Sequence, residues 1–429
     1  MRAMKDSGIE WIGQIPQEWQ IAKVKHVYSF QTGWTPSTSN AAYFDGDLPW
    51  ANISDIGKTK TIYDTAKHIT EEAVANSSIG ISPKGSLMYS FKLSVGDVSF
   101  CGTDMYTNEA IATFLPSDKY DLRYLYYAAP LFIIKNANEN IYGAKLLNQE
   151  LIRNALILNP PYNEQVSVAD YLDAKCAEID ALISAKEKTN ALLKERRQSI
   201  IYEAVTKGLN PNAPMKDSGV EWIGEIPEHW TKWRMKHLAS EPLQYGANAT
   251  GVEFREDIPR YVRITDITAD RKLSDEGKQS LEMDIAQDYM LEDGDILFAR
   301  SGATSGKSFY YESQYGSCCF AGYLIRLRTD SRKALSKLLY YYTLTQAYES
   351  WTQQIFIQAT IQNISADKYN NLWFAIPESM EEQKEIVVYL DQRCSEMDEL
   401  ISANEATIKK LKEYRQSIIY EAVTGKIEI

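Results

Sequence analysis

The chain is written twice, and that restricts it to a duplicated architecture. Met4–Pro16 returns as Met215–Pro227 at an offset of 211 residues, with Val220 in place of Ile9 and Glu225 in place of Gln14. Trp19 maps to Trp230, and Lys25-His26 to Lys236-His237. A second block, Arg197–Thr206, recurs residue for residue as Arg415–Thr424 at an offset of 218. The material between the blocks differs in length and in sequence. A faint common plan survives there: Leu48–Ile56 lines up with Ile258–Ile267, and Tyr124-Leu125-Tyr126-Tyr127 resembles Leu339-Tyr340-Tyr341-Tyr342. Uniform drift after a duplication would spread the differences evenly. Near-identity in a frame around divergent inserts points instead to one scaffold carrying two different recognition surfaces.

The repeated frame ends in a long helix. Glu164–Thr206 and Glu381–Thr424 contain neither proline nor glycine. Apolar residues recur at steps of three and four: Leu172, Cys176, Ile179, Ile183, Leu193, Ile200 and Ala204, then Leu390, Cys394, Met397, Ile401, Ile408, Leu411, Ile418 and Ala422. That spacing makes a seam for a partner helix. Lys186, Asn190 and Arg197 interrupt one seam, Asn404 and Arg415 the other, and such polar positions fix register and partner choice. Each segment covers about 40 residues, hence roughly 60 Å at about 1.5 Å per residue. Pro160-Pro161 and Pro377 precede the helices, and Gly208 with the Asn210–Pro214 linker stops the first. Two such helices from one duplicated chain pair most simply with each other, antiparallel, about a pseudo-two-fold axis.

With 429 residues the chain has room for two to four domains. Its 44% hydrophobic and 24% charged residues are ordinary for a globular protein and exclude general disorder. No apolar run approaches the roughly 20 residues of a membrane span. Met1–Ser7 has no apolar signal core, so the expected location is cytoplasmic. The cysteines Cys101, Cys176, Cys318, Cys319 and Cys394 make no CxxC pair and no zinc-type cluster with the histidines, so reduced thiols and no metal are expected. The net charge of −12 counts against nucleic acid. The two helical segments carry eight acids against six bases and ten against six, a surplus of six that is half of the total. DNA affinity depends on the local footprint, so the charge does not exclude it.

Two motifs look catalytic. Asn159-Pro160-Pro161-Tyr162 matches the signature with which N6-adenine methyltransferases hold and stack a flipped base. It lacks the upstream glycine-rich nucleotide turn, and the other half reads Phe374-Ala375-Ile376-Pro377 at the same place. A stand-alone methyltransferase is therefore the weaker alternative. Gly302–Ser308 resembles a phosphate loop, but its glycines are one residue too close. Ser90–Gly96 lies at a similar place in the first half, and both suit a loop that contacts DNA phosphate. Cys318-Cys319 reads as packed thiols, and His26 and His237 as structural or phosphate-contacting.

The frame resembles the specificity (HsdS) subunit of type I restriction–modification systems, over almost the whole chain. The residues that carry the likeness are Glu-Trp-Ile-Gly-x-Ile-Pro-x-x-Trp (Glu10–Trp19, Glu221–Trp230) and the helix ending Glu195–Thr206, with Glu413-Tyr414-Arg415 in the second copy. The inserts resemble that family's target-recognition domains at Thr35-Pro36-Ser37, Gly46–Trp50, Tyr261–Ile267 and Gly294–Gly302. Asn108-Glu109-Ala110 stands where members commonly have Asn-Gln-Ala. The resemblance implies a mixed α+β fold with two globular target-recognition domains joined by two long antiparallel helices as a coiled-coil spacer. The expected divisions are residues 1–160 (first recognition domain), 161–207 (first spacer helix), 208–376 (linker and second recognition domain) and 377–429 (second spacer helix and tail). It implies that each insert reads half of a split, asymmetric double-stranded DNA target. The helices set the spacing and dock two methyltransferase subunits, which bring S-adenosylmethionine. A restriction–translocation subunit using ATP and magnesium can join. The chain itself would supply no catalytic residue, no cofactor and no membrane contact.

Base reading needs side chains with paired donors and acceptors. The candidates are Thr35, Asn52, Ser90, Lys92, Lys145 and Asn148 in the first insert. In the second they are Arg260, Arg263, Arg300, Ser301, Lys307, Gln358, Thr360 and Gln362. The spacer seam rests on Leu172, Ile179, Ile183, Leu193, Ile200, Leu390, Met397, Ile401, Leu411 and Ile418.

Overall fold

The computed structural model describes residues 2–77, 80–139, 143–357 and 363–429. The fold is mixed α+β, and the long helices run Tyr162–Lys207 and Met380–Val423. The first stops at Gly208, whose φ of +75° is the left-handed geometry of a helix end. Contacts divide the chain into two compact units, Met1–Lys186 with Ala406–Ile429, and Glu187–Glu405. These units do not follow chain order, because each contains part of both long helices.

The apolar seam explains that division. In the first unit Leu172, Cys176, Ile179 and Ile183 share a core with Ile408, Ile418 and Ala422, and Leu411 packs at its margin. In the second, Ile200 and Ala204 share a core with Leu390 and Cys394, with Met397 at the margin. Ile401 is buried and Leu193 half-buried. Each fully buried Leu or Ile contributes about 1.5–3 kcal/mol, so a helix part is held to its partner by several such side chains. In the second unit Arg197 Nε lies 3.4 Å from Asp398, and Asn404 Nδ2 donates to Asn190 Oδ1 at 2.8 Å. Residue numbers fall along one segment as they rise along the other, so the two run antiparallel. In the first unit Arg415 Nε lies 3.1 Å from Asp180, the same pair one repeat on.

The two inserts share one plan despite their sequences. In the first, a sheet is ordered Phe30–Thr32, Ile111–Phe114, Leu87–Ser90, Val98–Cys101 and Thr61–Ile62. In the second it is ordered Gln244–Tyr245, Leu324–Leu327, Ile296–Ala299 and Ser308–Tyr310. Ile111–Phe114 and Leu87–Ser90 in the first, and Leu324–Leu327 and Ile296–Ala299 in the second, are buried throughout, which is why they read as largely apolar runs without alternation. A smaller sheet pairs Tyr106–Thr107 in parallel with Leu48–Ala51 in one insert, and Cys318–Phe320 with Arg260–Val262 in the other. Trp50 faces Tyr106 and Tyr261 faces Cys319, so Trp50 matches Tyr261 and the extra residue of the second segment falls before them.

The frame grips both inserts with matched hydrogen bonds. Trp19 Nε1 donates to Glu164 at 2.7 Å, and Trp230 Nε1 to Glu382 at 2.9 Å. Gln165 accepts from Asp121 N at 2.9 Å and donates to Pro160 O at 2.9 Å. Gln383 accepts from Leu335 N at 2.9 Å and donates to Pro377 O at 2.9 Å. Tyr127 donates to Asp173 at 2.6 Å, and Tyr341 to Asp391 at 2.6 Å. Tyr127 therefore corresponds to Tyr341. The sequence alignment placed it opposite Tyr342, one residue out, because a run of tyrosines cannot fix its own register.

Candidate nucleic-acid interface

The parallel strand pairs end together, and their ends collect polar side chains. Gly33 makes this possible in the first insert: a Cβ there would lie 1.8 Å from Thr107 O. The chain crosses the strand closely, with Trp34 N donating to Thr107 O at 2.8 Å. Gly246 does the same in the second insert, where Ala247 N donates to Phe320 O at 2.8 Å. Beyond these crossings lie Thr35, Asn52 and Lys92 in one insert, and Arg263, Arg300 and Ser301 in the other.

Asn52 and Arg263 are structural equivalents. Asn52 N donates to Asp55 at 2.9 Å and Arg263 N to Asp266 at 2.8 Å, so both follow a strand and open a turn closed by an aspartate. Asn52 Oδ1 accepts from Ser54 N and Oγ at 2.8 and 2.6 Å. The Arg263 guanidinium bonds Asp266 through Nε and Nη2 and reaches Gly277 O at 2.8 Å. These bonds hold both side chains in one orientation at the strand end. Thr35 donates to the Glu109 carboxylate. That bond, with the nearby Lys92 charge, holds Glu109 below the usual carboxylate range against the opposing effect of partial burial. Lys92 is exposed. Arg300 stacks 4.7 Å from the Tyr245 ring centroid, and Ser301 bridges to Asn363 through the backbone. Lys307 is half-buried beside the same loop, its carbonyl accepting from Ala299 N at 2.8 Å.

Other candidates serve the fold. Ser90 is fully buried and its hydroxyl donates to Lys92 O at 3.2 Å, so it presents nothing to a ligand. Arg260 is buried, with its guanidinium bonded to Ser274 O and directed at Asp275. Its side chain leaves the opposite face of the strand from Tyr261, inside the domain. Asn148 caps the helix Gln149–Asn154 by accepting from Leu151 N at 2.8 Å. Ser365 caps Ala366–Asn370 at the matching place. Lys145 is exposed and paired with Glu139 on a short hairpin. Gln358, Thr360 and Gln362 lie outside the described residues.

Sequence reasoning passed over Tyr245, Leu93 and Tyr323, the last two 91% and 65% exposed. Exposure of single apolar or aromatic residues has no periodic signature, so only their place at the strand ends reveals them.

The methyltransferase-like motif is occupied by the fold. Asn159 ends the strand Leu156–Asn159, and its Oδ1 accepts from Gln165 Nε2 at 3.2 Å. The same amide holds Pro160 O, as Gln383 holds Pro377 O where no such motif exists. The atoms that would grip adenine thus belong to a structural clamp present in both halves. All five cysteines are free and buried, and burial pushes the Cys318 thiol up to about 11 and that of Cys319 to about 12. Neutral, enclosed thiols are poor nucleophiles. Among the described residues no group of three or more His, Cys, Asp or Glu could hold a metal ion, and no helix is long and apolar enough to cross a membrane.

A family profile described as the type I restriction modification DNA specificity domain matches residues 16–194 and 257–410. The chain belongs to this family. Both matched stretches begin in or before an insert and end inside a long helix, so the family unit is insert plus helix. The EcoBI specificity subunit of Escherichia coli is 23% identical over 98% of this chain and 89% of its own length. The MjaIX specificity subunit of Methanocaldococcus jannaschii is 29% identical over 56% of this chain and 55% of its own length. Among solved structures, a chain from work on complex assembly and conformational transition of the type I R-M system aligns with TM-score 0.73. It is 17% identical, over 96% of this chain and 99% of that one. The HsdS subunit of Thermoanaerobacter tengcongensis aligns with TM-score 0.53 at 16% identity, over 96% and 98%. At these identities the likeness establishes the mixed α+β fold of an HsdS chain. The relatives are named specificity subunits and not methyltransferases.

Proposed function

We propose that this specificity subunit reads a split, asymmetric double-stranded DNA target, one half through each insert. The observation that carries this reading is one frame gripping two unlike inserts through matched hydrogen bonds, with equivalent strand ends bearing different side chains, Asn52 in one and Arg263 in the other. Asn pairs best with adenine and Arg with guanine, so the two ends suit different half-sites. The long helices act as an antiparallel spacer that sets the number of unread base pairs. Methyltransferase subunits dock on them, one for each repeat. Leu182 and Leu400 occupy equivalent positions outside the seam and are 49% and 55% exposed, which gives each repeat an apolar contact for such a partner. S-adenosylmethionine belongs to those subunits, and ATP and magnesium to a restriction–translocation subunit. This chain contributes recognition and no chemical step, and it works in the cytoplasm.

The test is an adenine-methylation map of a naive bacterial host. One culture expresses the chain alone and another adds its cognate methyltransferase subunit. Methylation at a split asymmetric motif in the second culture alone is the expected result, and exchanging residues 20–155 for another insert should change one half-motif. Methylation by the chain alone, or a motif that ignores the exchange, would overturn the reading.

A further inference from the structure

The strand-end loops of the two inserts are equivalent, and one of them carries a residue the fold does not ask for. In the first insert the loop joins Leu87–Ser90 to Val98–Cys101; in the second it joins Ile296–Ala299 to Ser308–Tyr310. Their backbone bonds match. Phe91 N donates to Ala110 O at 3.0 Å, as Arg300 N does to Tyr323 O at 3.0 Å. Gly96 N donates to Ser90 O at 3.0 Å, as Gly306 N does to Ala299 O at 2.8 Å. The third residue after each strand is left-handed: Gly302 at φ +78° and Leu93 at φ +60°. A Cβ on Gly302 would meet nothing within 4 Å, so glycine is used there for its backbone alone. The first insert makes the same turn with a bulky residue, for which that conformation is strained. Leu93 gains no packing in return, being 91% exposed. Its backbone opposes folding and its side chain, left in water, repays none of that cost, so we look outside the chain for what it serves.

We infer that Leu93 is an apolar wedge that enters the base stack of the half-site read by the first insert. This rests on the reading that the insert faces DNA. The loop stands at the strand ends with Thr35, Asn52 and Lys92, which offer polar contacts around it. A fully exposed leucine among them recovers its hydration cost by lying between base faces, where both sides of the side chain leave water. The exposed Lys92 beside it supplies a phosphate contact that would hold the backbone as the step opens.

The complex of this chain with its methyltransferase subunits is mixed with duplexes carrying the mapped target. 2-Aminopurine replaces, one at a time, each adenine of the first half-site and its flanking pairs except the methylated adenine. The wild-type complex should raise the fluorescence at one step. Leu93→Gly, which takes the residue used by the second insert, should bring that signal to within about twofold of the free duplex, while Leu93→Phe keeps it. The melting temperature of Leu93→Gly should be no lower than that of wild type, so loss of signal cannot be ascribed to misfolding. Binding by Leu93→Gly with unchanged fluorescence overturns the wedge. So does a wild-type complex that binds its target and never raises the signal; loss of affinity on replacing one thymine by deoxyuridine would then assign Leu93 to a methyl group at a base edge. Failure of the wild-type complex to bind its mapped target would instead sink the reading of the insert as a DNA reader.

Discussion

Replacing Gln383 by leucine should cost the second unit about 2–4 kcal/mol, and replacing Gln165 should cost the first unit the same. Gln383 is fully buried, and its amide makes three bonds: from Leu335 N at 2.9 Å, to Pro377 O at 2.9 Å and to Lys333 O at 3.1 Å. At a net contribution of about 1 kcal/mol each, the three bonds set a scale of about 3 kcal/mol. Leucine fills much of the volume, so the cavity adds little. The bond to Pro377 O is enclosed, so its loss leaves a buried acceptor unpaired, whereas Lys333 O lies near the surface and can return to water. Gln165 makes the corresponding bonds, with Asn159 Oδ1 taking the third place at 3.2 Å. For units of about 200 residues the loss corresponds to a fall of about 4–16 °C in melting temperature. Hydrogen exchange localises it: the Leu335 amide should lose protection in Gln383→Leu, and the Asp121 amide in Gln165→Leu. A shift below about 1 °C with both amides still protected would refute the assignment of these glutamines as clamps. A large effect at one site and none at the other would refute their equivalence.

Four further outcomes follow from the same geometry. Bonds from Arg2 and Trp19 outweigh partial burial and hold Glu164 below its usual range, so its contribution is complete above the unfolded carboxylate value and is lost as pH falls through the folded one. Acid unfolding of the wild type should therefore extend below about pH 4, and Glu164→Gln should flatten that limb in a pH titration of stability. Asn159→Ala should leave methylation by the assembled complex at the wild-type pattern; loss of all methylation with the fold intact would contradict the structural role given to the motif. Replacing Asn190 and Asn404 together by leucine should raise the melting temperature while broadening the range of spacer lengths methylated, because their mutual bond at 2.8 Å fixes register at a cost in stability. Arg415→Ala should change stability by less than about 1 kcal/mol in chemical denaturation, since Asp180 is 55% exposed and its pair with Arg415 is screened.

The frame was legible in the sequence because it is repeated and periodic. The helices, their seam and their stop at Gly208 follow from spacing and from the absence of glycine and proline. Their division between two compact units was not legible, because a periodic seam does not say which part of the partner helix each residue meets. The clamps were hidden for another reason. Gln165 and Gln383 look like ordinary polar residues in a helical first turn, and their targets are backbone atoms with no sequence signature. In the inserts, the equivalence of Asn52 and Arg263 was legible through the short segment that survives around them. Ser90 and Arg260 were misread as surface groups, because a polar residue at a strand end does not disclose which way its side chain leaves the sheet.

The chemistry of the clamps explains why divergence is confined to the inserts. Gln165 and Gln383 belong to the helices, and the insert atoms they hold are the amides of Asp121 and Leu335. Those amides are present whatever side chain stands there, as the pairing of an aspartate with a leucine demonstrates. Pro160 O and Pro377 O are likewise backbone groups, the first just after the strand Leu156–Asn159 and the second at the end of the unlike strand Trp373–Pro377. Of the three clamps that hold the inserts' closing elements, the Tyr127–Asp173 and Tyr341–Asp391 bonds alone require a particular insert side chain, and tyrosine is there in both copies. An insert can therefore change at its strand ends without loosening its grip on the helices. Selection on the recognised sequence and selection on the scaffold act on different atoms, and an exchange of inserts that keeps the tyrosine and the register of the closing strand should fold on either helix.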